Sequence, residues 1–191
     1  MRAALRAWGA ADRLGLGRPD FDEARLIADA RRRTGLHHFG DDGFRVPMRK
    51  LLAAFEDEAD LHLLGRSVLR AATVRALETR LRLEHLCDLR PEIAARPVER
   101  PVFITGMQRT GTTKLHRLLS CAPELRHLTS VEALHPAPTG RPVPDDPEDR
   151  ARRRRFAKNA ERGMRYLSPP LFAIHPIEAD SPEEDVFLFD V

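Results

Sequence analysis

Up to about Arg96 the alternation of apolar and polar positions is that of short amphipathic helices. Leu5, Trp8 and Ala11 fall on one face of a first helix, which Gly15 and Gly17 end. Pro19 and Asp20 start a second helix through Phe21, Ala24, Ile27 and Ala28, and Gly35 stops it. Residues 37–44, HHFGDDGF, read as a turn, and Pro47 suits the first turn of a helix carrying Leu51, Leu52, Phe55 and Ala59. A longer helix follows Gly65, with Leu69, Val74, Leu77, Leu81 and Leu86 along it. No catalytic constellation falls in this region.

The pattern changes at residues 97–101, where Pro97 and Pro101 bracket a short charged stretch. Val102 to Thr105, VFIT, predicts a short buried strand. GMQRTGTT follows at 106–113, and then a helix with Leu115, Leu118, Leu119 and Ala122 as its stripe. Beyond it the chain offers a short strand near Leu128, a helix cap at Thr129 or Ser130, and a proline-rich loop from His135. A charged helix covers 145–163, and Ser181, followed by Pro182, Glu183 and Glu184, predicts another helix start. The expected organisation is a helical leader subdomain over 1–97 and an α/β unit over 98–191.

Composition narrows the function classes. The 191 residues carry 32 basic and 29 acidic side chains, a net charge of +3, and every cation except Lys50, Lys114 and Lys158 is arginine. Such balance does not describe a nucleic-acid-coating tail or an acidic disordered chain. The run Arg152–Arg155 sits behind Asp146, Glu148 and Asp149, which precede Arg150, Arg152 and Arg153 by four residues, the order of a solvated, salt-bridged helix. One tryptophan and one tyrosine leave little to stack bases on. Cys87 and Cys121 lack a CxxC spacing and read as buried thiols of a reducing compartment. No apolar run reaches signal-peptide or membrane-spanning length, so the expectation is a cytoplasmic protein with no membrane or nucleic-acid partner. No spacing of His, Cys or carboxylates builds a metal site.

The chemistry lies in the loop. Two glycines five apart, between a strand end and a helix start, turn successive N–H groups inward at the positive helix end and form an anion cradle. Thr112 and Thr113 add hydroxyls, and Arg109 adds a forked cation. Gly106, Gly111 and Thr113 fit the nucleotide-binding pattern G-x-x-x-x-G-K-[ST], but Thr112 stands where its lysine belongs. A degenerate P-loop kinase or nucleotidase therefore remains the alternative reading.

The stretch RPVFITGMQRTGTTKLHRLL resembles the 5′-phosphosulfate-binding loop of sulfotransferases, in particular the bacterial type whose loop runs close to PxFIxGxPRSGTTLLHxLL. SVEALHPAP is similar to that family's glutamate-bearing segment, and HPIEADSPEEDVFLF to its acidic Pro-Glu-Glu segment. The resemblance implies a P-loop-like parallel-sheet fold. It also implies a sulfuryl transfer from PAPS (3′-phosphoadenosine 5′-phosphosulfate) to a hydroxyl or amine of a small-molecule acceptor, without a metal. Gly106, Arg109, Thr110, Gly111, Thr112 and Thr113 would hold the donor, Arg109 would stabilise the bridging oxygen as the sulfuryl group departs, and Glu132 would take the acceptor's proton. His135 and His175, each beside a proline, are candidates to line the acceptor pocket. Gln108 stands where that family has proline, Thr110 where it has serine, and Lys114 where it has an apolar residue. The family's 3′-phosphate contacts lie past the acidic segment, so the resemblance implies a truncated N-terminal portion, completed by a C-terminal half or by a second copy in a homo-oligomer.

Overall fold

The computed structural model describes residues 17–107, 110–140 and 146–190. The helix expected around Leu5, Trp8 and Ala11 lies outside them. The chain divides into two compact units, one ending at His85 and the other spanning Leu86–Asp190.

In the first unit, helix α1 (Glu23–Thr34) starts where the Asp22 carboxylate accepts the Arg25 N–H at 2.8 Å. It ends at Gly35, whose φ of 71° is a left-handed conformation open to glycine and whose N–H bonds Arg31 O. Glu23 in its first turn and Arg31, Arg32 and Arg33 in its last complement the helix dipole. A 3-10 turn (Asp42–Phe44) leads into α2 (Arg45–Asp57), with Pro47 in the first turn, and α3 (Leu63–Leu89) follows. The apolar faces meet in one core of Phe21, Leu26, Ile27, Ala30, Phe39, Met48, Leu52, Val74, Leu77 and Leu81. Each large side chain so buried contributes about 1.5–3 kcal/mol.

A buried cation interrupts that core. Arg66 is 3% exposed. It donates to the Pro19 carbonyl at 2.8 Å and to the Glu56 carboxylate, and its guanidinium lies 4.7 Å from the centroid of the Phe21 ring. Glu56 also accepts the Phe21 N–H. Helical spacing places Arg66 eleven residues before Leu77, on the same stripe as Leu69 and Leu77, so its position on the buried face follows from the period even though its charge does not.

The second unit contains α4 (Pro91–Ala94), α5 (Thr112–Leu119), α6 (Ser130–Leu134), α7 (Pro147–Leu167), α8 (Pro169–Ile174) and a 3-10 turn (Asp185–Asp190). Helix α6 packs against α7 and the 3-10 turn, and α8 packs against α7. Its buried residues are Ala133, Ala137, Ala157, Ala179, Ser130, Asp149 and Glu183. Small side chains and paired polar groups therefore hold this unit.

Several expectations need correction. The described architecture is helical, and no strand is present among the described residues. Residues 102–105 are irregular, with Val102 63% and Phe103 79% exposed, where a short buried strand was expected. A strand persists only when a neighbour takes up its N–H and C=O groups, and no neighbour lies beside these residues among those described. The strand near Leu128 is reduced to one antiparallel bridge, Thr129 with Pro182, flanked by Glu183 N–H to Leu128 O at 2.9 Å and Ser130 N–H to Ser181 O at 3.0 Å. No helix starts at Ser181, because Pro182 joins that bridge and the Glu183 side chain turns inward. Cys121 is exposed and Cys87 half-buried, both as free thiols, because Cys121 follows α5 beside the outward-facing Leu118. No described helix is long and apolar enough to cross a membrane.

Candidate functional site

The loop is shaped by its glycines. Gly111 adopts φ 98°, ψ 14° and opens α5, so the chain turns into the helix through a conformation that L side chains rarely take. No side chain caps this helix start, and the first-turn N–H groups of Thr112 and Thr113 are left as donors. Leu115 N–H makes the first intrahelical bond, to Gly111 O at 3.0 Å. A Cβ on Gly106 would lie 3.0 Å from both Thr110 Oγ1 and Thr112 Cγ2, so the loop closes over a position only glycine fits without displacement. Thr110 donates its hydroxyl to the Met107 carbonyl at 2.6 Å, bracing the turn. Gly106, Thr110 and Gly111 are exposed, as is Thr113. Arg109 and Gln108 lie outside the described residues.

Glu132 is placed by α6. It is the third residue of that helix, and it closes a capping box with Thr129. Glu132 Oε2 accepts the Thr129 N–H and hydroxyl, both at 2.9 Å, while Oε1 accepts Arg126 at 2.8 Å. Burial pushes this carboxyl up, but the two Thr129 donors and the Arg126 guanidinium outweigh it, and the group lies below the ordinary glutamate value. Both oxygens are thus engaged, and the residue is an ionised carboxylate at neutral pH.

The bridge at Thr129 and Pro182 brings the two acidic motifs together, and a second carboxylate comes with it. Glu183 is buried, accepts the Ser130 hydroxyl at 3.1 Å and the Glu184 N–H at 3.0 Å, and has Oε1 3.6 Å from His175 Nε2. From the sequence, residues 180–185 read as a helix cap or, by the resemblance, as part of an active-site wall, and neither reading contains the Ser130–Glu183 pairing; the signal for it is a Ser and a Glu in two motifs of the same resemblance. Arg117, in the last turn of α5, reaches the Pro176 carbonyl at 3.3 Å and Glu178 at 3.4 Å. The helix that opens at the glycine loop is thereby tied to the segment leading to Glu183.

The remaining charged motif is structural. Asp149 is 2% exposed and accepts five hydrogen bonds, from the Thr139 N–H and hydroxyl, the Gly140 N–H, Arg152 and Arg153. Arg153 also donates to the His135 carbonyl, so the loop after α6 is pinned to α7. Arg154 clamps Asp180 with two bonds, and Arg165 pairs with Glu161 and Glu178. Among the described residues no group of three or more His, Cys, Asp or Glu is gathered to hold a metal ion.

Residues 101–191 match the model described as the Sulfotransferase family. Two solved structures are similar to the chain. The sulfotransferase STF1 from Mycobacterium tuberculosis H37Rv is 32% identical with a TM-score of 0.67, the match covering 85% of this chain and 44% of that one. The sulfotransferase STF9 from Mycobacterium avium is 28% identical with a TM-score of 0.68, covering 88% of this chain and 43% of that one. The chain therefore spans less than half the length of either. No curated protein matches it significantly.

Proposed function

We propose that this chain, which over residues 101–191 matches the sulfotransferase family model, takes part in transferring a sulfuryl group from PAPS to a hydroxyl or amine of a small-molecule acceptor. The observation that carries this reading is the loop itself: Gly111 in the left-handed region, α5 starting uncapped behind it, and a Gly106 where a Cβ would crowd Thr110 and Thr112 at 3.0 Å, all inside the family-matched segment. A glycine cradle of this kind suits an oxyanion.

When bound, PAPS supplies the activated sulfuryl group. Gly106, Thr110, Gly111, Thr112 and Thr113 form the cradle, with the Thr112 and Thr113 N–H groups directed at the anion from the positive end of α5. Arg109 supplies the fixed positive charge opposite the leaving oxygen, a role that needs a guanidinium held in the loop. Glu132 is the proposed base. Glu183 is a second reading for that role, favoured by its burial and by the imidazole of His175 facing it, through which a proton can leave again. Segment 102–105 forms the first strand of a parallel sheet once a neighbouring strand pairs with it, and the helical leader and the α/β unit divide near residue 97. The cytoplasm is the compartment that this reading assigns.

The test is a calorimetric titration with PAP (3′,5′-adenosine bisphosphate) and, separately, with ATP plus magnesium. PAP binding that Arg109→Ala abolishes supports the donor site. Undiminished PAP affinity in that variant sinks it, and magnesium-dependent ATP binding in place of PAP binding turns the assignment to a kinase or nucleotidase.

A further inference from the structure

Resting on the sulfotransferase reading, we infer that Glu178 is a positioning residue for the donor: it holds the helix behind the glycine cradle in place relative to the start of α6, where Glu132 lies. The need for such a tether follows from α5 itself. That helix has no buried residue, and Leu115 and Leu118 on its stripe are 47% and 68% exposed. Apolar packing therefore does not fix its direction. Among the described residues, the hydrogen bonds that join α5 to a segment distant in sequence are both made by Arg117, to the Pro176 carbonyl and to Glu178. The 8 residues of α5 form a rod about 12 Å long. A swing at its Arg117 end is carried to its Gly111 end, where the free N–H groups of Thr112 and Thr113 lie.

Glu178 is where this tether meets the acidic side of the unit. Its Oε2 pairs with Arg117 at 3.4 Å and accepts the Ser181 hydroxyl at 3.0 Å, while Oε1 pairs with Arg165 of α7 at 3.5 Å. The Glu178 carbonyl accepts the Ser181 N–H at 3.0 Å and closes a turn, and that turn fastens α6. Ser181 O accepts the Ser130 N–H and Ala179 O the Val131 N–H, both at 3.0 Å, and these are the two residues that precede Glu132 in the helix. One side chain thus stands between the helix whose first turn faces the donor and the helix whose first turn carries the candidate base. Without it Arg165 retains Glu161, whereas Arg117 retains only the Pro176 carbonyl among the described residues. Arg117 and Glu178 are both part-exposed, so their pairing adds little to folding, and its consequence is placement.

The experiment is a double-mutant cycle on the 191-residue chain. Calorimetry gives the PAP affinity of the wild type, Arg117→Met, Glu178→Ala and the two combined, with Asp180→Asn as control. Asp180 pairs with Arg154 and Lys158 and not with α5, so its loss reports on removing an exposed carboxylate alone. Circular dichroism checks each fold, and Glu178→Gln, which keeps an acceptor for Ser181, replaces Glu178→Ala if that variant does not fold. The expected result is a loss of PAP affinity of about fivefold or more in each single variant, no further loss in the double variant, and none in Asp180→Asn. Hydrogen exchange supplies a readout that a merely structural role would not move: PAP slows exchange of the Ser130 and Val131 amides in the wild type and not in the Glu178 variant. Wild-type PAP affinity in the Glu178 variant, additive losses in the cycle, or an equal loss in Asp180→Asn overturns the inference and leaves the donor reading standing. So does protection by PAP that is absent from the wild type or retained in the variant. No PAP binding to the wild type removes the donor reading, and this inference with it.

Discussion

Ser130 donates its hydroxyl hydrogen bond to Glu183 across 3.1 Å from a position with no solvent exposure, joining two segments that are 53 residues apart. A buried carboxylate that loses one of its donors bears the desolvation penalty itself. Ser130→Ala is expected to destabilise the second unit by about 1–3 kcal/mol. Urea unfolding, with hydrogen exchange at the Ser130 and Glu183 amides, measures this. Unaltered protection of those amides would mean that the pair does not fasten the two segments.

Asp149 gives the second unit an acid limit. Burial alone would raise its carboxyl, but the Thr139 and Arg152 bonds and the Arg153 charge hold it down, from 3.8 to about 2. A depressed carboxylate adds stability that is fully present above the unfolded value of 3.8 and is lost as pH falls through about 2. The contribution at neutral pH is about 2 kcal/mol. Asp149→Asn should remove most of it and flatten the pH dependence between 4 and 2, which acid titration of both proteins followed by circular dichroism tests.

The loop glycines separate conformational from steric demands. At Gly111 a Cβ meets nothing within 4 Å, so the cost of Gly111→Ala comes from φ 98° alone and is about 1–2 kcal/mol. At Gly106 a Cβ meets Thr110 and Thr112, and Gly106→Ala should displace the cradle and weaken PAP binding by an order of magnitude or more with little change in global stability. Equal PAP affinities for wild type and Gly106→Ala would contradict a phosphosulfate cradle at this loop.

In the first unit the informative variant is Glu56→Ala. It leaves the buried Arg66 guanidinium with the Pro19 carbonyl and the Phe21 ring but no counter-charge. Loss of the partner of a buried ion costs about 3–5 kcal/mol, and the partial exposure of Glu56 puts the expectation at the lower end. Arg66→Met, which removes the charge and keeps the packing stem, should cost less. A thermal-melt series in which Arg66→Met is the more damaging of the two would refute this ordering.

Local signals carried well where a helix buries its own stripe. Gly35, Pro47 and the series Val74, Leu77, Leu81 behave as their spacing implies, whereas the helix expected to start at Pro19 and Asp20 begins at Glu23, because the Asp22 carboxylate takes the Arg25 N–H. The cap at Thr129 or Ser130 and the charged helix of 145–163 are legible for the same reason, since caps and charge pairs act within one turn; the structure settles the cap on Thr129 and carries the helix over Pro147–Leu167. What failed depends on partners distant in sequence. Val102 to Thr105 has strand chemistry without a neighbouring strand, and Leu115 and Leu118 form a stripe that nothing described covers. Ser181 to Glu184 reads as a helix start, yet Pro182 is claimed by Thr129 and Glu183 by Ser130. Of the candidate site, the glycine geometry was readable from spacing, whereas the double occupation of Glu132 and the presence of Glu183 were not, because both arise from tertiary pairing.

The Thr129–Glu132 capping box also has a chemical meaning. Glu132 Oε2 fastens the first turn of α6 through Thr129, and Oε1 is held by Arg126, so neither oxygen is open to a proton without a donor giving way. A proton placed on Oε2 competes with the Thr129 N–H and hydroxyl, and one placed on Oε1 competes with Arg126, so proton uptake at Glu132 loosens either the helix start or the ion pair. Glu183 is tied in the same manner, Oε2 by the Ser130 hydroxyl and Oε1 by the Glu184 N–H, so either carboxylate gains a proton only at the expense of a contact that fastens the fold.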